Sequence, residues 1–308
     1  MIRISQGDIK SIGLEVFFKA LLMLPKEQIK HFILYGNKNV LKKHLTNSNN
    51  KIEVHEKHIQ ITNKKRLNFI NIGKDENISP FDSLKTALEN MNSKDVLFTL
   101  PMAKSSFNHA GLKYKGHTDY FRKIYKKECL MTFMTESECA VLATDHIPLK
   151  DVSSSVNINS LLSQINLIDE YKNILFKEYD IINLTGINPH AGEDGEIGHE
   201  DRIINEIINN YKFNNFKIKG PLPADSLFNN NIKSNKAIDF FMYHDQALTS
   251  FKSRNKLIGI NITLGLPFIR LSVDHGTAPN LYNKDLASPI GCYYALLKSM
   301  EINRCLNE

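Results

Sequence analysis

The sequence has no stretch approaching the ~18 consecutive apolar residues that a membrane-spanning helix needs. Its strongest candidate, Gly13 to Leu24, is interrupted by Glu15 and Lys19. The opening residues, MIRISQGDIK, lack the long apolar core of a secretory signal. A cytoplasmic protein with no membrane partner is the expectation. Cysteine is scarce, and Cys129, Cys139, Cys292 and Cys305 form no CxxC pair. A chain of 308 residues can bury enough to do without disulfide staples. The four are therefore read as reduced thiols, with no basis for a thiolate zinc site. The glycines nowhere fall as GxGxxG, and the P-loop pattern is missing. A nicotinamide cofactor would have to be bound by another route. Dense basic stripes are missing too: Lys42-Lys43 and Lys64-Lys65-Arg66 are short and carry no interleaved aromatics. No nucleic-acid partner is expected, and the net charge of +6 suits the steering of a small anionic substrate.

What is present is globular: 42% hydrophobic and 23% charged residues. Apolar runs alternate with helical patterns. Expected strands are Met1–Ser5, His31–Tyr35, Asp95–Leu100, Ala140–Ala143, Ile181–Leu184, Ile238–Met242 and Ile260–Leu264. Several are continuous runs, as suits strands buried on both faces. Leu14, Phe17, Leu21 and Leu22 mark a helix stopped by Pro25; Ile204, Ile207 and Ile208 mark another; Tyr294, Leu297 and Ile302 mark a closing one. This alternation predicts an α/β architecture. Asn47–Asn77, rich in Asn and Lys, reads as a polar hairpin excursion built on Lys51–His55 and His58–Thr62, and Asn229–Lys236 as an exposed loop. No linker separates two blocks cleanly, so two domains would be joined by more than one crossing of the chain.

In an open α/β sheet, ligands bind beyond the carboxyl ends of strands. Four histidines follow apolar runs: His146 in ATDHIPL, His190 in GINPHAGEDGEIG, His244 in YHDQAL and His275 in VDHGTAPN. One such histidine is ordinary; four at equivalent places point to a shared site suited to zinc or another divalent cation. Spacing does not say which three bind. Asp145, Asp245 and Asp274 adjoin three of them and can ligate or orient an imidazole. Gly192, Gly195 and Gly198 form GxxGxxG after a strand, with Glu200 and Asp201 opening a helix, a turn able to cradle an anion. Gly192 and Gly195 are the cofactor-binding candidates. Lys104, Lys252 and Arg270 are cations for phosphate or carboxylate. Arg270, inside the apolar run PFIRLSV, is costly to bury without an anionic partner.

Taken together, GHTDYF, ATDHIPLKDV, NPHAGEDGEIG, GPLPADSLF, YHDQAL and NITLGLPFIRLSVDHGTA resemble, in order, the signature blocks of the 4-hydroxythreonine-4-phosphate dehydrogenase family from Gly116 to Ala278. GDIKSIGLE resembles the family's opening turn, with Ser11 where glycine is more familiar, and PMAK its P-x-x-K block.

The resemblance implies that His146, His190 and His244 bind one divalent metal (Zn, Mg or Co), with His275 outside that set. It implies that His117, Thr118, Lys252, Asn261 and Arg270 contact substrate, and that Asp225 and Asp245 maintain the site. Asp245 and Lys252 are the expected catalytic side chains. The implied fold is two α/β/α domains with a cleft between them, similar to isocitrate and isopropylmalate dehydrogenases. The expected division is 1–120 plus 265–308 for the first domain and 121–264 for the second, which carries the metal-binding histidines. The family is homodimeric, with active sites drawing on both subunits. It oxidises 4-phosphooxy-L-threonine with NAD or NADP, and the β-keto acid formed loses carbon dioxide to give 3-amino-2-oxopropyl phosphate, toward pyridoxal phosphate. Two alternatives share these blocks or this scaffold: a dehydrogenase of another phosphorylated hydroxy-acid, and a metal-dependent phosphate-ester enzyme.

Overall fold

The computed structural model describes residues 1–46, 52–73, 79–108, 113–228 and 236–308. The chain divides into two compact units, residues 1–129 with 260–308, and residues 130–259.

The first unit contains strands β1 (Ile2–Ser5), β2 (Phe32–Gly36), β3 (Glu53–Val54), β4 (His58–Thr62), β5 (Lys65–Asn71) and β6 (Val96–Thr99). Its helices are α1 (Gly13–Met23), α2 (Lys26–Ile29), α3 (Lys38–Thr46), α4 (Pro80–Glu89) and α5 (His117–Tyr125). The second unit holds β7 (Leu130–Met134), β8 (Cys139–Leu142), β9 (Tyr179–Thr185), β10 (Lys217–Leu222) and β11 (Lys236–Phe241). With them come α6 (Val152–Ser155), α7 (Ile158–Glu170), α8 (Arg202–Asn210) and α9 (His244–Asn255). The chain then returns to the first unit as β12 (Ile260–Leu264), β13 (Ile269–Val273) and α10 (Ile290–Cys305).

Within the first unit the strand order is β12-β13-β6-β1-β2-β5-β4-β3. The centre, from β13 to β5, is parallel, and β12 and the β4–β3 ribbon are antiparallel additions. β6 and β13 are buried at every position, as parallel strands covered on both faces must be. One face carries Leu97 and Tyr35 into a cluster with Phe81 and Leu84 of α4 and Tyr120 and Phe121 of α5. α10 packs over β1, β6, β12 and β13 and against α1. In the second unit the order is β10-β9-β11-β8-β7, parallel except for β7 on β8. Ala247, Leu248 and Phe251 of α9 bury against Met131, Phe133, Ala140, Leu142 and Phe241, which fixes the helix over the sheet.

All seven strands expected from apolar runs are present to within two or three residues at their ends. Four others were not on that list: β5, β7, β10 and β13. β10 has no fully buried position, so it lacks the apolar signal altogether. The polar excursion contains its hairpin as β3 and β4, but β5 then pairs parallel to β2 and joins the main sheet. Residues 47–51 and 74–78 of that excursion, and 229–235 of the expected loop, lie outside the described residues. The closing helix exists but is rotated from expectation. Gly291, Cys292, Ala295, Leu296, Ser299 and Ile302 form its buried stripe, whereas Tyr294 is exposed. Small residues there allow close approach to the sheet, and the aromatic ring faces out.

Candidate active site

Arg270 sits on β13, opposite Thr263 of β12 and beside Leu97 of β6. Side chains two apart in a strand share a face. Asn261, Thr263, Arg270, Ser272 and Thr99 therefore all point to the same side of three adjacent strands. Arg270 is 4% exposed, and Thr99 and Thr263 are fully buried. The Arg270 Nε and Nη2 donate to Thr99 Oγ1 at 3.0 and 2.6 Å, and Nη1 donates to Thr263 Oγ1 at 3.3 Å. Among the described residues none supplies a carboxylate to this guanidinium. Burial pushes its pKa down to about 9, which still leaves it a cation at neutral pH.

α5 brings in His117 and Thr118. Its N-cap is Gly116 at φ 157° and ψ −170°, a backbone region essentially closed to residues with a Cβ. The glycine of GHTDY thus has a structural cause. The His117 ring packs edge-on against Phe107, with centroids 4.8 Å apart. Its Nε2 is sealed from solvent and has no hydrogen-bond partner. Burial, with the Arg270 cation acting in the same direction, holds its pKa well below the usual imidazole value. Asn261 Oδ1 is likewise buried without a partner. Native interiors rarely leave such atoms unpaired. A cation with no acid, an imidazole nitrogen and an amide oxygen on one unit describe a polar site that a ligand would complete.

The second unit carries the expected metal ligands. Thr144 Oγ1 donates to Met242 O at 2.7 Å, tying the turn after β8 to the turn before α9. That tie brings the rings of His146 and His244 to 5.5 Å between centroids. His146 Nδ1 lies 3.3 Å from the buried carboxylate of Asp145, and His244 Nδ1 lies 3.0 Å from Asp245 Oδ1. Each imidazole thus has Nδ1 engaged by an acid and the lone pair of Nε2 left for a ligand, the arrangement that suits a metal-binding histidine. The pair fits a divalent ion as two of its ligands. Among the described residues, however, no three His, Cys, Asp or Glu side chains gather closely enough to hold one, so His190 does not complete the set within this chain.

His190 begins a run of five left-handed residues, from His190 to Asp194. Such a run is costly for residues with a Cβ and persists only where the surroundings impose it. Just ahead of the run, the carboxylate of Asp201, 3% exposed, accepts from Ile187 N at 2.5 Å, from Asn188 N at 3.3 Å and from Asn188 Nδ2 at 3.0 Å, which fixes the chain that enters it. At Gly192 (φ +81°), a Cβ would lie 2.7 Å from Gly198 O and 2.9 Å from the Asp201 carboxylate, so only glycine fits. Gly195, Gly198 and Glu200, with Asn188 and His199, line an open pocket of about 570 Å³. Lys252 and Asp245 are exposed on α9, and Asp225 is exposed on the turn Ala224–Phe228, whose Leu227 packs beneath α9.

Gln246 was not singled out from the sequence, although it lies inside YHDQAL. Its Oε1 accepts from Met242 N at 2.8 Å and Thr185 Oγ1 at 3.0 Å, and its Nε2 donates to Gly186 O at 2.8 Å. It joins the first turn of α9, which carries His244, to the end of β9, which leads to His190. Thr99 and Thr263 carried no signal in the sequence beyond lying in apolar runs.

A family model described as pyridoxal phosphate biosynthetic protein PdxA matches residues 28–298. A 4-hydroxythreonine-4-phosphate dehydrogenase from Sulfurihydrogenibium sp. (strain YO3AOP1) is 34% identical over 306 residues, covering 93% of each chain. One of the same name from Sulfurimonas denitrificans is 32% identical over 314 residues, covering 99% of this chain and 98% of its own. The crystal structure of 4-hydroxythreonine-4-phosphate dehydrogenase from Klebsiella pneumoniae superposes with a TM-score of 0.77 at 24% identity, covering 98% of this chain and 99% of that one. At that identity the likeness concerns the fold.

Proposed function

This chain belongs to the PdxA family, and we propose that it oxidises 4-phosphooxy-L-threonine in the formation of pyridoxal phosphate. The observation that carries the proposal is the family match across residues 28–298, which spans the Arg270 group and the histidine pair alike.

The residues fit a substrate that is anionic at both ends and bears an alcohol between them. Arg270 is a buried cation whose partners among the described residues are hydroxyls, ready to bind a phosphate or carboxylate. Asn261 Oδ1 can accept from a substrate N–H or O–H. His117, kept neutral by burial, can donate or accept at Nε2 without adding a second positive charge beside Arg270. Thr118 and Lys252 complete the proposed substrate contacts, with Asp245 and Lys252 as the catalytic side chains. Asp225 maintains the site. Such contacts hold the reacting carbon in one orientation, which converts binding energy into rate.

His146 and His244, joined by His190 of the family pattern, would hold the divalent ion, which when bound makes a ligated alcohol more acidic and polarises the ketone derived from it. The chain supplies two of these imidazoles side by side, and a homodimer that shares the site supplies the third. NAD or NADP would supply the hydride acceptor, and the pocket beside Gly195 is the proposed place for part of the nucleotide. The oxidised acid then loses carbon dioxide to give 3-amino-2-oxopropyl phosphate.

The test is turnover of 4-phosphooxy-L-threonine with each nucleotide, followed by nicotinamide absorbance, before and after chelation and with metal added back. Reduction of one nucleotide, lost on chelation and restored by a divalent ion, is expected. No reduction of either nucleotide under any metal would overturn the proposal.

A further inference from the structure

A guanidinium has five N–H donors in a fixed plane. In this chain Thr99 Oγ1 takes the side edge, accepting from both Nε and Nη2, and Thr263 Oγ1 takes one hydrogen of Nη1. Among the described residues, that pattern leaves one N–H on each terminal nitrogen for a further acceptor. Two parallel N–H bonds are what a phosphate or carboxylate accepts in a bidentate fork.

The chemistry of the two partners matters as much as their position. A carboxylate on Thr99's strand would neutralise Arg270 and compete for the fork. Hydroxyls accept hydrogen bonds and carry no charge, so the cation keeps its full demand for an external anion. Threonine is also stiff at χ1, and both threonines are themselves fully buried. The oxygens are thus fixed before any ligand arrives. Register makes the arrangement: Thr263 is the direct cross-strand neighbour of Arg270, and Thr99 follows Leu97 by two on the adjoining parallel strand.

We propose that Thr99 and Thr263 are positioning residues that clamp the side edge of the Arg270 guanidinium with uncharged acceptors, so that its outer edge is preset for one anionic group of the substrate. This rests on the reading above that Arg270 contacts substrate.

The test compares Thr99→Val, Thr99→Ser, Thr263→Val and Arg270→Gln in the full chain. Two quantities are read: KM and kcat for 4-phosphooxy-L-threonine, and the Kd of inorganic phosphate by calorimetry. Thr99→Val is expected to raise KM and the phosphate Kd about tenfold, the scale of hydrogen bonds to a charged group, with kcat within about twofold of wild type. Thr99→Ser keeps the oxygen and is expected to return both constants to within about threefold. Thr263→Val, which removes a single longer bond, is expected to raise them about threefold. If Thr99→Val does not fold, Thr263→Val decides on the same readings. Wild-type KM and phosphate Kd in a folded Thr→Val variant, while Arg270→Gln loses both, would overturn the clamp and leave the substrate role of Arg270 standing. Unchanged constants in Arg270→Gln as well would remove that role, and the clamp with it.

Discussion

At the scale of single residues, the site is defined by polar atoms left unpaired where burial makes that expensive. His117 shows the consequence for pH. Its folded pKa lies well below the value of 6.5 that it has when solvated. Below pH 6.5 the unfolded chain takes up a proton that the folded chain refuses, so the imidazole makes folding stability fall as pH falls. The slope from this one group approaches about 1.4 kcal/mol per pH unit. His117→Gln, which does not titrate, is expected to flatten the acid limb of stability measured by urea unfolding at a series of pH values. An unchanged slope would mean that the ring is solvated in the folded protein. Arg270 works in the opposite range. Its pKa is lowered by burial to about 9, so both states are protonated below pH 9 and the fold carries the full burial cost there. An anion on the outer edge of the guanidinium relieves that cost.

Elements place these residues. α9 is held to the sheet by an apolar face, yet its first turn is anchored by one amide, Gln246, which bonds the end of β9 and the turn before the helix. Replacing it with alanine leaves Met242 N and Gly186 O unpaired. Gln246→Ala is expected to cost about 1–3 kcal/mol in urea unfolding. Because the same amide sets His244 relative to the β9 turn, zinc affinity measured by calorimetry is expected to fall about tenfold or more. A variant that is less stable but binds zinc normally would reduce Gln246 to a structural tie. The left-handed turn from His190 to Asp194 is a second such device. Asp201 anchors the chain at Ile187 and Asn188 just before it, and the close approach at Gly192 leaves no room for a Cβ within it.

For the whole molecule, the question is how a third ligand reaches the histidine pair. Two imidazoles converge in the chain, and among the described residues no third donor joins them. The proposed homodimer sharing its sites would account for both. The purified protein is expected to sediment as a dimer and to bind one divalent ion per chain in equilibrium dialysis. His190→Ala is expected to remain a folded dimer while losing that ion and metal-dependent turnover. A monomer that binds metal as tightly as the dimer, or a His190→Ala variant with full metal content, would refute the shared site. No helix among the described residues is long and apolar enough to cross a membrane.

Much of this was legible in the amino-acid sequence because it is local. Apolar runs located seven strands, since a strand buried on both faces must be apolar along its length. The blocks ATDHIPL and YHDQAL marked His146 and His244 because each follows closely on an apolar run, whereas His117 was named only by the resemblance of GHTDYF. β10 and β5 were not legible, being partly exposed strands recognised only by what they pair with. What the tertiary structure alone decided is which distant residues meet. Thr99 and Arg270 are 171 positions apart, and Thr144 and Met242 are 98 apart. Their contacts depend on strand register, where a slip of one residue turns every side chain to the opposite face. The sequence by itself determined that an arginine inside an apolar run and a set of strand-end histidines exist; long-range pairing determined that, among the described residues, the arginine is answered only by hydroxyls and that two of the histidines stand together.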